Sequence, residues 1–265
     1  MHHRISSEDN NKIKLVRKLH QKKSRDSLGR FSIEGINLVS EALNHGIRLD
    51  FLILSESGLL DEKLSRISCE AGCDVFVVDD RIFDTISDAE HGVGIIAVLS
   101  KKALPGACDS PLLWSDNVLI LDRLQDPGNM GTILRTAYAS GYKRIYAIKG
   151  SADILSLKVL RASAGAVFNI PIIYVDDINS LLEHDEIKSR KIAVTVIEGG
   201  IPYYEADISS NTAIVIGNEG SGISSDLIEK ADMKITIPMD KGVESLNAAV
   251  SAAIIMYERV RCKIY

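Results

Sequence analysis

Three polar turns in the second half of the sequence hold the side chains best suited to chemistry. The first turn contains Asn129 and Arg135, and the second contains Glu219 between glycines. The third contains Ser245 and Asn247, just before an alanine-rich segment. An arginine among apolar neighbours either extends to solvent or faces a cleft, where it binds phosphate or carboxylate through two nitrogen atoms. These turns are therefore candidates for a ligand site that accepts an anionic group.

Each turn follows a run of residues that is typical of a buried strand. The runs are Asn117–Leu121, Thr212–Ile216 and Met233–Ile237. Nearly continuous apolar runs are typical of parallel strands that are covered on both faces. The carboxyl ends of such strands meet at one edge of an open α/β sheet, which is where these sheets bind ligands. The three turns are therefore predicted to form one composite site.

The second turn is a glycine-rich loop after a buried strand. Its glycines are Gly217, Gly220 and Gly222, in the order G-x-x-G-x-G. Neither a phosphate-binding Gly-Lys-Ser/Thr sequence nor the dinucleotide pattern G-x-G-x-x-G is present in it, which disfavours a nucleoside triphosphate or NAD. The loop is instead predicted to let a small ligand approach the backbone closely.

The region 117–265 alternates strands with helices and predicts a doubly wound, mainly parallel sheet. Its last helix is predicted over Ser245–Arg259, where small residues would allow close packing. The other predicted strands are Arg144–Ile148, Ile170–Tyr174 and Lys191–Ile197. The predicted apolar face of the last helix consists of Leu246, Ala249, Val250, Ala253, Ile254 and Tyr257.

Residues 1–105 predict a smaller α/β domain, joined to the rest by a linker at 106–116; the surrounding stretch 101–116 loses periodicity and has two prolines, Pro105 and Pro111. We expect residues 1–10 to be disordered and Asn11–Lys23 to form a basic amphipathic helix that Phe31–Gly35 interrupts. The later elements alternate in type. They are helices at Ile36–Leu43, Asp61–Ala71 and Arg81–Ile86 and strands at Leu49–Leu54, Asp74–Val78 and Gly94–Leu99.

Charge is distributed unevenly along the chain. The whole protein has a net charge of −5, yet residues 11–30 contain eight lysines and arginines and a single acidic residue, Asp26. A basic segment on an acidic body is typical of a protein that binds a polyanion at one place. A solvated helix face would show the same charge run.

Composition disfavours several classes of protein. No apolar run is long enough to span a membrane, and we expect no secretory signal because no apolar segment follows the charged N-terminus. The four cysteines are scattered, which is typical of reduced thiols. Cys69 and Cys73, with His91 downstream, lack a second ligand pair, so we expect no metal site.

The residues of the three turns match three family motifs in order. They are Asn129-x-Gly131-x-x-x-Arg135, Gly217-Asn218-Glu219-Gly220-x-Gly222, and Ile237-Pro238-Met239 followed by Glu244-Ser245-Leu246-Asn247-Ala248-Ala249. This arrangement resembles the SpoU (TrmH-like) RNA ribose methyltransferases of the SPOUT superfamily. Phe31–Gly35 and His91-Gly92-Val93 are similar to the family's substrate-binding domain, which resembles small ribosomal RNA-binding proteins.

The resemblance implies an α/β fold with a deep C-terminal trefoil knot and an obligate homodimer. It implies S-adenosylmethionine as the methyl donor and a ribose 2′-hydroxyl of RNA as the acceptor, with 23S ribosomal RNA as the leading substrate. It further implies a cytoplasmic enzyme that needs no metal ion.

The resemblance also assigns roles by position. It makes Arg135 the residue that activates the hydroxyl; because a guanidinium stays protonated, we expect it to bind phosphate and stabilise the developing alkoxide. The implied reacting site consists of Asn129, Arg135, Glu219, Ser245 and Asn247. The implied cofactor residues are Thr195, Gly199, Gly217, Asn218, Ile237, Met239 and Leu246. The basic residues expected to contact RNA phosphates are Lys14, Arg17, Lys18, Lys22, Lys23, Arg25 and Arg30.

Three alternatives stay open from the sequence. The first is the same chemistry on transfer RNA, and the second is a non-catalytic RNA-binding or assembly factor that has the same fold. The third is a doubly wound enzyme for small metabolites, which the basic segment disfavours. The target nucleotide is not specified by the sequence.

Overall fold

The computed structural model describes residues 2–88, 94–106, 112–113 and 115–264. The chain forms two compact units: Met1–Leu104 with Asp153–Phe168, and Pro105–Ala152 with Asn169–Tyr265. The predicted domain at 117–265 includes Asp153–Phe168, whereas in the structure this segment belongs to the first unit. Most of the predicted linker, together with the motif at residues 91–93, lies outside the described residues.

The first unit contains a five-stranded mixed sheet in the order β1-β4-β3-β5-β2. The strand β4 is parallel to both β1 and β3, whereas β5 is antiparallel to both β3 and β2. The strands are β1 (His2–Ile5), β2 (Arg30–Glu34), β3 (Leu49–Ser55), β4 (Asp74–Val78) and β5 (Ile95–Ser100).

Seven helices accompany this sheet in the described part of the first unit. They are α1 (Asn11–Leu19), α2 (Lys22–Leu28), α3 (Ile36–Asn44), α4 (Glu56–Leu59), α5 (Glu62–Glu70), α6 (Asp80–Asp84) and α8 (Leu157–Ser163), which follows α7 (Pro127–Ala139) of the second unit. The predicted apolar face of α1 is confirmed, since Ile13, Val16 and Leu19 are buried against the sheet with Phe51 and Ile53.

Two predictions for the N-terminal region were wrong. Residues 1–10 are not disordered, because β1 pairs with β4 and buries Ile5. The predicted single helix is two helices, with Gln21 in an extended conformation between them. The expected interruption of the helix at Phe31–Gly35 is present, and it takes the form of the edge strand β2, whose Phe31 and Ile33 are fully buried.

The second unit contains a seven-stranded sheet in the order β10-β12-β9-β11-β6-β7-β8, and every pair of neighbours is parallel. This confirms the predicted parallel α/β sheet. The strands are β6 (Val118–Leu121), β7 (Ile145–Ile148), β8 (Ile172–Val175), β9 (Lys191–Thr195), β10 (Ile201–Pro202), β11 (Thr212–Ile216) and β12 (Met233–Thr236).

The helices of the second unit pack against this sheet and against each other. They are α7, α9 (Ile178–Glu183), α10 (Asp185–Lys188), α11 (Ser225–Glu229) and α12 (Ala248–Ile264), and α12 packs against α7. The central strands β6 and β11 are completely buried, as their apolar runs predicted. The carboxyl ends of β9, β11 and β12 consequently lie side by side.

The C-terminal helix differs from its prediction in start and orientation. It begins at Ala248 because the Asn247 side chain accepts hydrogen bonds from the Ala249 and Val250 amides, at 2.9 and 3.3 Å. Val250 and Tyr257, expected on the buried face, are 48% and 49% exposed. Ala249 is buried as predicted, and the rest of the buried stripe is Ala252, Ile255 and Met256.

Within the described residues, no helix is long and apolar enough to cross a membrane.

Arg25 was expected on the RNA-binding surface, but its side chain is buried, with 4% of the residue exposed. Its Nη1 donates to the carbonyls of Leu19 and His20, at 2.6 and 2.8 Å, and its Nη2 donates to the Asp153 carboxylate. Arg25 therefore connects Asp153 to the turn between α1 and α2. Because its side chain is buried in these contacts, we remove Arg25 from the candidate RNA contacts.

Arg25→Ala should lower the free energy of unfolding by about 3 kcal/mol, because it leaves the Asp153 carboxylate and two carbonyls without their partner. The matched control Lys23→Ala, an exposed residue on the same helix, should change it by less than about 0.5 kcal/mol. Urea unfolding followed by circular dichroism measures both values. Equal effects of the two substitutions would contradict the structural role of Arg25.

Candidate active site

A cavity of about 540 Å³ opens at the carboxyl ends of β9, β11 and β12. Its volume is within the range of small-molecule and cofactor sites. Segments after all three strands and the start of α12 contribute to its wall. The lining residues include Thr195, Val196, Ile197, Ile216, Gly217, Asn218, Glu219, Ile223, Ile235, Ile237, Met239, Glu244, Ser245, Leu246, Asn247 and Ile255.

Most of the predicted cofactor residues lie in this wall. The exception is Gly199, which is not among the lining residues and adopts a turn conformation with φ +74°. Sequence reasoning missed Ile235, Ile197 and Ile255, which make much of the wall apolar. The six predicted residues that line the cavity are Thr195, Gly217, Asn218, Ile237, Met239 and Leu246.

Gly217 is held in a very close backbone approach. A Cβ atom at this position would lie 2.6 Å from the Gly222 carbonyl carbon and 2.7 Å from the Ile223 nitrogen. The approach is fixed by two backbone hydrogen bonds between Asn218 and Gly222, each 3.0 Å long. The glycine at 217 is therefore required by packing, and the loop can fold back without blocking the cavity.

A chain of hydrogen bonds links the three motifs at the edge of the cavity. Asn129 Nδ2 donates to Glu219 Oε1 at 3.1 Å, and Asn247 Nδ2 donates to Asn129 Oδ1 at 2.9 Å. The amides of Gln125 and Asp126 also donate to the Glu219 carboxylate, each at 3.1 Å. The Glu219 carboxylate therefore orients the side-chain amide of Asn129, and Asn129 in turn orients the side-chain amide of Asn247.

The environment of Glu219 favours its charged form. Burial opposes ionisation, but the hydrogen bonds from Asn129 and from the Gln125 and Asp126 amides outweigh it and lower the pKa of Glu219 below its ordinary value of 4.5. The carboxylate is therefore ionised at neutral pH and acts as an acceptor. It can orient a neighbouring amide, but it is not poised to donate a proton.

Arg135 and Ser245 complete the predicted reacting set. Arg135 is exposed on α7, 6 residues beyond Asn129, and has no hydrogen bond or ion pair with any residue that the structure describes. Ser245 is exposed and lines the cavity. The structure therefore joins Asn129, Glu219 and Asn247 directly, and it leaves the Arg135 guanidinium available to an anionic ligand.

S-adenosylmethionine fits the chemistry of this cavity. Isoleucine and leucine side chains offer an apolar wall for a nucleoside base, while backbone groups after β9, β11 and β12 offer polar contacts. The carboxylates of Glu219 and Glu244 lie in the same wall and suit a cationic group. No group of three or more His, Cys, Asp or Glu side chains in the described residues could hold a metal ion.

The basic segment of the first unit is only partly available for binding. Lys14 pairs with Asp9 at 3.0 Å, Arg30 pairs with Asp50 at 2.7 Å, and Arg17 bonds to Glu8 and Thr85. Those surface pairs are weak and can exchange for phosphate contacts. The exposed members of the predicted set are Lys14, Lys18, Lys22, Lys23 and Arg30.

Gly217→Ala should disrupt the second loop and abolish binding at the cavity, because backbone atoms 2.6–2.7 Å from the new methyl group cannot move independently. Gly220→Ala is the matched control, since the nearest atom to its Cβ would be 3.7 Å away. Thermal unfolding and S-adenosylmethionine titration should show a loss in the first variant alone. A Gly217→Ala protein with normal binding would contradict the close approach.

The chain is similar to known RNA methyltransferases over nearly its whole length. The protein is 34% identical to the 23S rRNA (guanosine(2553)-2′-O)-methyltransferase RlmP of Bacillus subtilis, over 96% of this chain and 97% of the relative. An AdoMet-bound rRNA methyltransferase from Sinorhizobium meliloti has a TM-score of 0.85 at 28% identity, over 98% of both chains. The structure of an RNA 2′-O ribose methyltransferase has a TM-score of 0.83 at 29% identity, over 99% of this chain and 100% of that one.

Two family descriptions match the sequence in separate regions. Residues 10–97 match the MRM3-like substrate binding domain, which corresponds to most of the first unit. Residues 116–257 match the SpoU rRNA Methylase family, and this range contains all three motifs. The chain therefore belongs to the SpoU methylase family.

Proposed function

We propose that this protein transfers a methyl group from S-adenosylmethionine to a ribose 2′-hydroxyl of 23S ribosomal RNA. The observation that carries the proposal is the Glu219–Asn129–Asn247 chain at the edge of the cavity. The relative from Bacillus subtilis, which is named for this reaction on 23S ribosomal RNA, aligns through both units and thereby favours that substrate over transfer RNA.

The cavity holds the methyl donor in this proposal. Gly217, Ile237 and Leu246 contact it largely through backbone groups and apolar surface, and Thr195, Asn218 and Met239 line the remaining wall. When bound, S-adenosylmethionine supplies a methyl group that its sulfonium already activates. The residues of the protein therefore have to align the acceptor and stabilise charge, and no metal ion is required.

Arg135 binds the phosphate next to the target ribose. Its guanidinium remains protonated, so it stabilises the alkoxide that develops on the 2′-oxygen by electrostatics and does not itself remove the proton, which leaves to solvent water. Asn129 and Ser245 orient the ribose by hydrogen bonds. Glu219 and Asn247 fix the amide of Asn129 in the required direction.

The first unit binds the RNA in this proposal. Lys18, Lys22 and Lys23 are exposed on α1 and α2, and Lys14 and Arg30 can exchange their surface carboxylates for phosphates. Such contacts give an affinity that depends on salt and not on sequence. Recognition of a particular nucleotide requires further contacts with an unpaired loop or bulge.

The oligomeric state, the knot and the cellular compartment are inferred from the family. We infer a homodimer, because Tyr138 on α7 and Val250 and Tyr257 on the adjacent α12 are nearly half exposed and offer an apolar surface to a second copy. We also infer that Ile237–Asn247 takes part in the trefoil knot, and that the enzyme works in the cytoplasm, where ribosomal RNA is modified.

Arg135→Ala should reduce methyl transfer at least 100-fold, because the phosphate and the developing alkoxide lose their cation, while binding of S-adenosylmethionine and thermal stability stay unchanged. Transfer is measured with labelled donor and ribosomal RNA, followed by nucleoside analysis for 2′-O-methylated products. Arg66→Ala, an exposed arginine in the first unit, is the control. Normal turnover by Arg135→Ala would contradict this role, and methylation of transfer RNA alone would correct the substrate.

A further inference from the structure

Two facing loops of the second unit carry the Glu219–Asn129 contact. We name residues 122–129 the first loop and residues 217–224 the second loop. Asp122, at the base of the first loop, is completely buried. Its carboxylate accepts hydrogen bonds from the Ser224 amide at 2.7 Å and from Arg123 Nε and Nη2 at 2.8 and 3.2 Å. A buried charge is thereby compensated by one residue from each loop.

Arg123 has an unusual backbone conformation. Its φ is +56°, in the left-handed region that residues with a Cβ atom rarely occupy. In this conformation the Arg123 carbonyl accepts a hydrogen bond from Asn218 Nδ2 at 2.9 Å. The guanidinium of Arg123 folds back and pairs with the carboxylate of the preceding residue, Asp122. The ion pair and the left-handed backbone conformation therefore involve the same residue, Arg123.

Asn218 connects the Arg123 carbonyl to the second loop. Its Oδ1 accepts the amides of Gly220 and Ser221, both at 2.9 Å, which closes the turn around Glu219. Glu219 then reaches back to the Gln125 and Asp126 amides of the first loop. The two loops therefore hold each other at both ends, at Asp122 and at Glu219.

We propose that Asp122 is a positioning residue for methyl transfer: its buried carboxylate holds Arg123 in the left-handed conformation, and this places Asn218 and Glu219. Asp122 is not itself among the residues that line the cavity, although its backbone amide donates at 2.9 Å to the carbonyl of Ile216, which does line it. The activity readout of this proposal rests on the proposed function, whereas the loop geometry is measured independently of activity.

Four variants test the proposal: Asp122→Asn, Arg123→Ala, Arg123→Gly and the double variant Asp122→Asn/Arg123→Gly. Glycine occupies the left-handed region readily, so Arg123→Gly should keep both loops in place without the ion pair. Arg123→Ala and Asp122→Asn should lower kcat roughly 5- to 30-fold, because the Asp122–Arg123 ion pair is then lost and no longer offsets the energetic cost of the left-handed conformation at residue 123. In the double variant, glycine at 123 should restore kcat to within about 3-fold of Arg123→Gly.

Hydrogen exchange of the amides of Gln125, Asp126, Gly220 and Ser221 reports the loop geometry directly. Exchange should accelerate in Arg123→Ala and Asp122→Asn and return to the wild-type rate in the double variant. If the double variant remains as impaired as Asp122→Asn, Asp122 acts through Ser224 and the proposal is wrong.

A loss of transfer in Arg123→Gly with unchanged amide exchange would assign the Arg123 side chain to an RNA contact, and this too would overturn the proposal. A wild-type protein that fails to methylate RNA would remove the proposed function. The exchange pattern of the four variants would still decide the role of Asp122.

Discussion

The Glu219 carboxylate is the group on which the arrangement of the site depends. It accepts two backbone amides of the loop after β6 and the side-chain amide of Asn129, and Asn129 in turn accepts a hydrogen bond from Asn247. Asn247 also caps α12. One ionised side chain therefore aligns three segments, of which the Asn129 segment lies 90 residues before Glu219 and 118 residues before Asn247. The hydrogen bonds offset part of the conformational entropy that is lost when these segments are ordered.

The parallel sheet makes this convergence possible. The strands β6, β9, β11 and β12 are neighbours and all run in the same direction, so their following segments emerge at one edge. Close backbone packing at Gly217 then brings the second loop over the cavity. Apolar side chains form much of the wall and polar groups form its edge, an arrangement suited to a cofactor that carries both a nucleoside and charged groups.

Strong, local signals allowed much of this structure to be predicted. Fully buried strands such as β6 and β11 are unbroken apolar runs, and the three motifs mark the turns that follow them. Weaker sequence signals gave wrong predictions where tertiary contacts determine which side chains are buried. An alanine-rich helix has little amphipathic contrast, so the exposure of Val250 was missed, and a basic run does not show that Arg25 is buried against Asp153. Nothing local identifies the left-handed Arg123, because arginine rarely adopts that conformation.

Calorimetric titration of the purified protein with S-adenosylmethionine tests whether this cavity holds the methyl donor. We expect saturable binding at micromolar affinity to the wild-type protein and no binding to Leu246→Arg, whose long, charged side chain would occupy the cavity. Circular dichroism would show that this variant remains folded. A wild-type protein that does not bind the donor, or a Leu246→Arg variant that binds it equally well, would contradict the assignment of the cavity.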